Sequence, residues 1–259
     1  MTAPMVSVEG LAVSFGSTRV LHGVSIELEA GQTIGVVGES GSGKSTLAKA
    51  LVGIVRPDSG SITVDGVDVT RLGRSRRSTF AYRRRVQMIP QDPFSSLSPR
   101  RTIAQTLAEA LDPARPDVRR FADRIAEWLE RVGLSADMMT RFPHEFSGGQ
   151  RQRVAIARSL IIDPSFVIAD EITSALDVSV QAQILEMLAE IKAQLGVSMM
   201  FISHNLAVVQ RVSDRVAVMH RGEIVEAGPV AQIYSAPRHW YTRMLLDADP
   251  GAPGYTLDL

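Results

Sequence analysis

Residues 38–46 read Gly-Glu-Ser-Gly-Ser-Gly-Lys-Ser-Thr (GESGSGKST) and fit the pattern G-x-x-x-x-G-K-[ST]. Ahead of them stands a short apolar run, TIGVV at 33–37. Behind them, KSTLAKALVGIV has helical spacing and is predicted to run as a helix until just before Pro57. Strand, glycine-rich loop and helix in that order form a phosphate-binding device. Gly38, Gly41 and Gly43 let backbone N–H groups turn inward around phosphate oxygens, and the positive end of the following helix points at the same place. Glu39, Ser40 and Ser42 fill the loop, Lys44 brings a cation to the β- and γ-phosphates, and Ser45, followed by Thr46, offers a hydroxyl to Mg²⁺.

Outward from that loop, further apolar runs end in chemistry. Phe166–Ala169 lead into Asp170-Glu171, SMMFIS leads to His204, and RVAVM precedes a turn at Arg221-Gly222 and the run EIVEA. Apolar strands separated by helical stretches imply a parallel sheet covered on both faces. A buried strand delivers its terminal carboxylates to the ligand edge of such a sheet. Asp170 is therefore the candidate Mg²⁺ partner and Glu171 the candidate base for an attacking water. Near the start, Val24, Ile26 and Leu28 alternate with Ser25, Glu27 and Glu29, and Asp65-Gly66 sits between alternating apolar residues as a hairpin signal. Both point to a small antiparallel sheet beside the main fold. Between about 95 and 155 the pattern is helical. Ile103, Leu107 and Leu111 share one face, as do Ile125, Trp128, Leu129 and Val132. A further helix is expected from Val178 to Leu195, with Gly196 as its stop.

Composition bounds the answer. The 259 residues are 45% hydrophobic and 22% charged, with a net charge of zero, so no global field favours nucleic acid or an anionic surface. The absence of cysteine excludes disulfides, thiol catalysis and thiolate metal sites. The N-terminal stretch has no basic segment leading into an apolar core, and no run is long and apolar enough to span a bilayer; work at a membrane would depend on other chains. The cluster Arg71, Arg74, Arg76, Arg77 and Arg83–Arg85 is read as a solvated face, His22, His144, His220 and His239 as structural, and Met199-Met200 as core.

Residues 146–150, FSGGQ, followed by RQRVAIARSL, resemble the signature of ATP-binding cassette (ABC) ATPases. The likeness extends, in family order, through Phe15, GESGSGKST, Gln91 in QDPFSSLSPR, FSGGQ, FVIADE, SALD at 174–177 and His204. HEFSGGQRQR, QDPFSSLSPR and the tail APRHWYTRMLLDADP are similar to the oligopeptide, dipeptide and nickel importer subgroup. Ile172, Asn205 and Trp240 stand where that subgroup usually has Pro, Asp and Pro; many relatives continue further, some with a Cys-rich segment, and no such segment stands in this sequence.

The resemblance implies a P-loop (RecA-like) α/β core with a mainly parallel sheet, a small antiparallel β subdomain and an inserted helical subdomain. It divides a single 1–259 unit into a core with its antiparallel part at 1–90 and 156–240, a helical part at 91–155 and a tail at 241–259. It implies that Phe15 stacks on adenine, that Gln91 senses the γ-phosphate through Mg²⁺ and contacts a membrane subunit, and that His204 positions Glu171 and the water. Ser147, Gly148, Gly149 and Gln150 are expected to close on ATP held by a second copy, with Asp177 bridging the two sites. The expected activity is ATP hydrolysis with Mg²⁺. It would drive uptake of peptides or a similar small solute from the cytoplasmic face of a membrane, through two permease subunits and a solute-binding protein. A non-transport cassette ATPase, for example in cofactor assembly, is the alternative; a purely structural or regulatory nucleotide-binding module is a second, against which the presence of Glu171 and His204 argues. One cassette and no long heptad array between Lys44 and Asp170 argue against translation and chromosome types.

Overall fold

The structure is a computed structural model and describes residues 3–73, 75–174 and 176–248. Arg74 of the basic cluster, Ala175 of the SALD stretch and the tail beyond 248 lie outside the described residues.

Two sheets organise the chain. The first is antiparallel, in the order β2-β1-β4-β5, from β1 (Val6–Phe15), β2 (Thr18–Leu28), β4 (Ser59–Val64) and the short β5 (Val67–Asp68). Asp65 and Gly66 both take positive φ, 50° and 73°, as a two-residue type I′ hairpin requires, and Thr63 pairs with Asp68 across it. In β2, Val24, Ile26 and Leu28 are buried while Ser25 and Glu27 are exposed, as the alternation predicts.

The second sheet has six strands in the order β10-β9-β3-β8-β7-β6. Its strands are β3 (Thr33–Val37), β6 (Val86–Ile89), β7 (Phe166–Asp170), β8 (Ser198–Ile202), β9 (Arg215–His220) and β10 (Glu223–Pro229). All its pairings are parallel except β9 with β10, which turn back through Arg221-Gly222. Both faces are covered. Ile34, Val36, Phe166, Ile168, Met200 and Ile202 pack toward the antiparallel sheet, whereas Val37, Val167, Ala169, Met199 and Phe201 pack toward the helices. Continuous apolar runs are what a sheet buried on both sides demands.

The helices are α1 (Lys44–Leu51), α2 (Arg76–Arg85), α3 (Pro93–Ser96), α4 (Ile103–Leu111), α5 (Ala122–Arg131), α6 (Gly148–Leu160), α7 (Val178–Leu195), α8 (Leu206–Val212), α9 (Val230–Ser235) and α10 (Trp240–Asp247). Helices α3–α6 fall between β6 and β7, where Ile103, Leu107, Ile125, Trp128, Leu129 and Val132 are fully or almost fully buried. Helix α7 ends at Leu195 before Gly196 at φ 64°, as read from the sequence. Helix α1 is shorter than predicted: Gly53 takes φ 70° and unwinds the chain after Leu51, well before Pro57. Gly35 in β3 has a packing reason. A Cβ there would lie 2.3 Å from Val209 Cγ1, so only glycine lets α8 lie this close to the central strand.

Candidate active site

The strand order brings distant residues together. The strands β6, β7, β8 and β3 are adjacent and parallel, so their C-terminal ends form one edge. Ile89 pairs with Ala169, Asp170 with Ile202, and Val36 with Ile202. Beyond those ends stand Gln91, Asp170-Glu171, His204 and the loop 38–46 respectively. This is the ligand edge of an open parallel sheet.

The loop wraps a cavity of about 320 Å³ lined by Val20, Ser40, Gly41, Gly43, Lys44, Ser45, Thr46, Gln91 and Glu171. Gly38, Gly41 and Gly43 have φ of 149°, 80° and 106°, conformations L side chains rarely adopt. A Cβ on Gly38 would meet the Met219 carbonyl oxygen at 2.0 Å. Helix α1 starts at Gly43 with no side chain capping it and no acid in its first turn. By contrast α6, α7 and α8 are capped by Ser147, Asp177 and Asn205. Helix starts carry unsatisfied N–H groups and positive potential, so the uncapped α1 faces its cavity as an anion site.

Lys44 is 5% exposed, and its Nζ donates to the carbonyl oxygens of Gly38 (2.8 Å) and Glu39 (2.7 Å). Burial lowers its pKa, opposed by the charges of Glu171, Asp170 and Glu39. Asp170 is buried, and burial raises its pKa against a side-chain hydrogen bond from Ser45, whose Oγ lies 3.5 Å from Oδ1. Hydroxyl and carboxylate oxygens here, with the Gln91 amide lining the same cavity, form the hard donor set that suits Mg²⁺.

Glu171 takes φ 47°, a strained left-handed conformation for a residue with a side chain. Its Oε2 accepts from Gln91 Nε2 at 2.9 Å and its Oε1 lies 3.5 Å from His204 Nδ1. The three candidate catalytic residues therefore form one cluster, in which Gln91 and Glu171 line the cavity and His204 stands behind Glu171. The departures from the subgroup pattern fit their places. Ile172 is buried in the core, and Asn205 Oδ1 caps α8 by accepting from Val208 N–H, which an aspartate would also do.

The other predicted residues stand apart. Phe15 ends β1 and is 54% exposed, outside the cavity lining, as an open ring platform. Ser147 Oγ accepts from Gln150 N–H and Gln150 Oε1 accepts from Ser147 N–H, a reciprocal cap at the start of α6. Ser147 and Gly148 are exposed, Gly149 and Gln150 half-buried, and none of the four lines this chain's own phosphate cavity. The serine hydroxyl accepts within its helix and keeps its O–H free to donate outward. Asp177 is exposed and caps α7; its pKa is lowered by the Val180 N–H and the Ser179 hydroxyl, both hydrogen-bonded to it.

Sequence reasoning missed Val20 in the cavity wall, and it missed the contacts behind the loop. Gly222 N–H donates to Ser42 O at 2.9 Å, and Glu39 N–H donates to Tyr241 Oη at 3.0 Å. Such contacts join positions far apart in the chain and leave no local pattern.

Known proteins resemble this chain in sequence and in fold. Residues 21–174 match the ABC transporter family. The di/tripeptide transport ATP-binding protein DppF of Pseudomonas aeruginosa is 47% identical over 93% of this chain and 74% of its own length. The oligopeptide transport ATP-binding protein OppF of Bacillus subtilis is 42% identical over 96% of this chain and 84% of its own. Among solved structures, CbiO1 of Clostridium perfringens, part of the ABC transporter complex CbiONQ, superimposes with a TM-score of 0.79 at 28% identity over 91% of this chain and 92% of that one. A dimeric ATP-binding cassette in a post-hydrolysis state bound to ADP and Pi has the same fold, with a TM-score of 0.77 at 24% identity over 87% and 99% of the two chains. The chain belongs to the ABC transporter ATPase family.

Proposed function

We propose that this chain hydrolyses ATP to power peptide uptake through separate membrane subunits. The observation that carries the catalytic part is the uncapped start of α1, aimed into a cavity that also holds Gln91 and Glu171. The names of DppF and OppF, at 42–47% identity, support peptides as cargo. No helix among the described residues is long and apolar enough to cross a membrane, which fits peripheral attachment to permeases at the cytoplasmic face.

The loop N–H groups and Lys44 hold the triphosphate, and the exposed ring of Phe15 carries the adenine. The Lys44 ammonium turns from the Gly38 and Glu39 carbonyls toward the β- and γ-phosphates. Ser45, Asp170 and Gln91 would hold Mg²⁺, which supplies charge neutralisation at the phosphates. Glu171 accepts a proton from the attacking water, and His204, on the neighbouring strand end, orients that carboxylate. The γ-phosphate remains exposed on the side away from the loop. The FSGGQ turn of a facing cassette, identical or paralogous, closes that side with the Ser147 hydroxyl and the first N–H groups of α6. Asp177 lies near this seam.

The core at 1–90 and 156–240 then binds nucleotide, and the helical part at 91–155 carries the signature. A cleft of about 360 Å³ joins them, lined by Gln91, Asp92, Pro93, Phe94, Gly148, Gln152 and Ile172 among others. Phe94 is exposed there with the Arg151 guanidinium 4.0 Å from its ring centre. This cleft suits a permease segment, because movement at Gln91 on ATP binding reaches it directly.

The deciding experiment is ATP binding by Lys44→Ala. Loss of binding with an unchanged fold supports the assignment, and wild-type affinity refutes it. Co-purification of permeases and a solute-binding protein from native membranes separates transport from a cofactor-assembly role.

A further inference from the structure

The phosphate loop is gripped from behind by α10, the last helix of the described chain. Tyr241 is its second residue and is fully buried, and its Oη accepts the Glu39 N–H at 3.0 Å. The carbonyl of the same Glu39 accepts Lys44 Nζ at 2.7 Å. One loop residue thus links the tail helix to the lysine that meets the phosphates.

Other contacts make this grip rigid. The His220 ring stands 3.9 Å from the Tyr241 ring, centre to centre, tilted by 37°. His220 ends β9, and two residues on Gly222 donates to Ser42 O, at the other end of the loop. Tyr241 therefore holds Glu39, Gly222 holds Ser42, and His220 braces the two supports together. The start of α10 is fixed in turn. Glu226 on β10 accepts from Arg238 N–H (2.8 Å) and His239 N–H (3.0 Å), and His239 Nδ1 accepts from Tyr241 N–H.

We propose that Tyr241 is a positioning residue for nucleotide binding, its hydroxyl fixing the 38–39 peptide and, through it, the shape of the loop that receives the phosphates. The proposal rests on the ATP-binding reading above. Without that hydroxyl the Glu39 N–H, half-buried against the Tyr241 ring, loses its acceptor, and the 38–39 peptide turns to find another. The carbonyl of that peptide is Gly38 O, which accepts Lys44 Nζ at 2.8 Å, so the turn disturbs the loop shape that receives the phosphates, and part of the binding energy of ATP is spent on restoring it. Glu171, Gln91 and His204 do not touch Tyr241, so the chemical step in the saturated enzyme proceeds as before. The helix that docks the tail thereby sets ATP affinity.

The test is Tyr241→Phe in the full chain, which deletes one oxygen and keeps the ring stack on His220. Tyr82→Phe is the control. Its buried hydroxyl donates to Leu51 O, at the far end of α1, and so loses a comparable hydrogen bond without touching the loop. Expected for Tyr241→Phe is a rise of about three- to tenfold in KM and in the Kd of a fluorescent ATP analogue, on the scale of one hydrogen bond, with kcat within about twofold. Amide exchange at 38–43 should quicken in the nucleotide-free protein. The control should keep wild-type KM. Wild-type KM and Kd in Tyr241→Phe would overturn the proposal, as would an equal rise in Tyr82→Phe, which would mark a general loss of stability. If wild-type protein itself binds no ATP, the underlying nucleotide reading fails and the proposal with it.

Discussion

Replacing Glu171 by glutamine changes one atom's chemistry and almost nothing else. The amide keeps an oxygen that can accept from Gln91 Nε2, as Oε2 does now at 2.9 Å, and its nitrogen can face His204 Nδ1. The strained φ of 47° is shared by both side chains, so stability should hold. What disappears is the proton acceptor. A positioned general base contributes roughly 10²–10⁴ in rate, and at about 1.36 kcal/mol per decade its loss costs about 2.7–5.5 kcal/mol of barrier. The variant also removes a negative charge from the cavity proposed for the triphosphate, so ATP affinity should stay level or improve. Phosphate release by purified protein, read beside nucleotide binding and a thermal melt, checks all three. A kcat within about threefold of wild type, with binding and melting intact, would refute the base assignment.

Two further predictions concern the scaffold. In Gly38→Ala the new Cβ meets the Met219 carbonyl oxygen at 2.0 Å in a left-handed backbone, so the variant should lose about 2–4 kcal/mol, or roughly 5–15 °C in melting temperature. Gly10→Ala, with φ 56° and nothing within 4 Å, should lose only about 1–2 kcal/mol. At Glu226 burial raises the carboxyl pKa, but the hydrogen bonds it accepts outweigh this and hold it below its ordinary 4.5. A depressed carboxyl pKa stabilises the fold above the unfolded value, and that stabilisation is lost as pH falls through the folded one. The melting-temperature gap between wild type and Glu226→Gln should therefore be widest near neutrality and narrow below about pH 4.5. A gap independent of pH would show that the charge of Glu226 does not hold α10.

Local chemistry made much of this legible in the sequence. Asp65-Gly66 and Gly196 each impose a backbone conformation, and Asp177 is a strong helix cap, so the hairpin and α7 stand where the residues put them. The placement of the loop 38–46 and of the carboxylates at the end of β7 was legible for a similar reason: a strand leading into a glycine-rich loop, or ending on acids, shows itself in residue types at fixed spacing. Gly53 carried a similar signal for the end of α1, but the apolar Ile54 and Val55 beyond it extended the helical pattern and masked the stop. Strand order was not legible, because uninterrupted runs such as FVIA and SMMFI have no alternation to mark their faces and parallel register is set by long-range pairing. Tyr241 escaped for a related reason. It is more than two hundred residues from Glu39 and looks like an ordinary aromatic in an amphipathic helix.

The central claim is that the loop of one cassette and the FSGGQ turn of another enclose a single ATP, and the chain's lack of cysteine makes this directly measurable. One preparation carries Ser40→Cys and a second carries Ser147→Cys, both with Glu171→Gln; they are mixed, oxidised and run on a non-reducing gel. The account predicts a cross-linked dimer joining the two preparations, formed with ATP and absent without it. ATP binding without any cross-linked product, both in this mixture and with a co-purified paralogous cassette carrying the second cysteine, would contradict it.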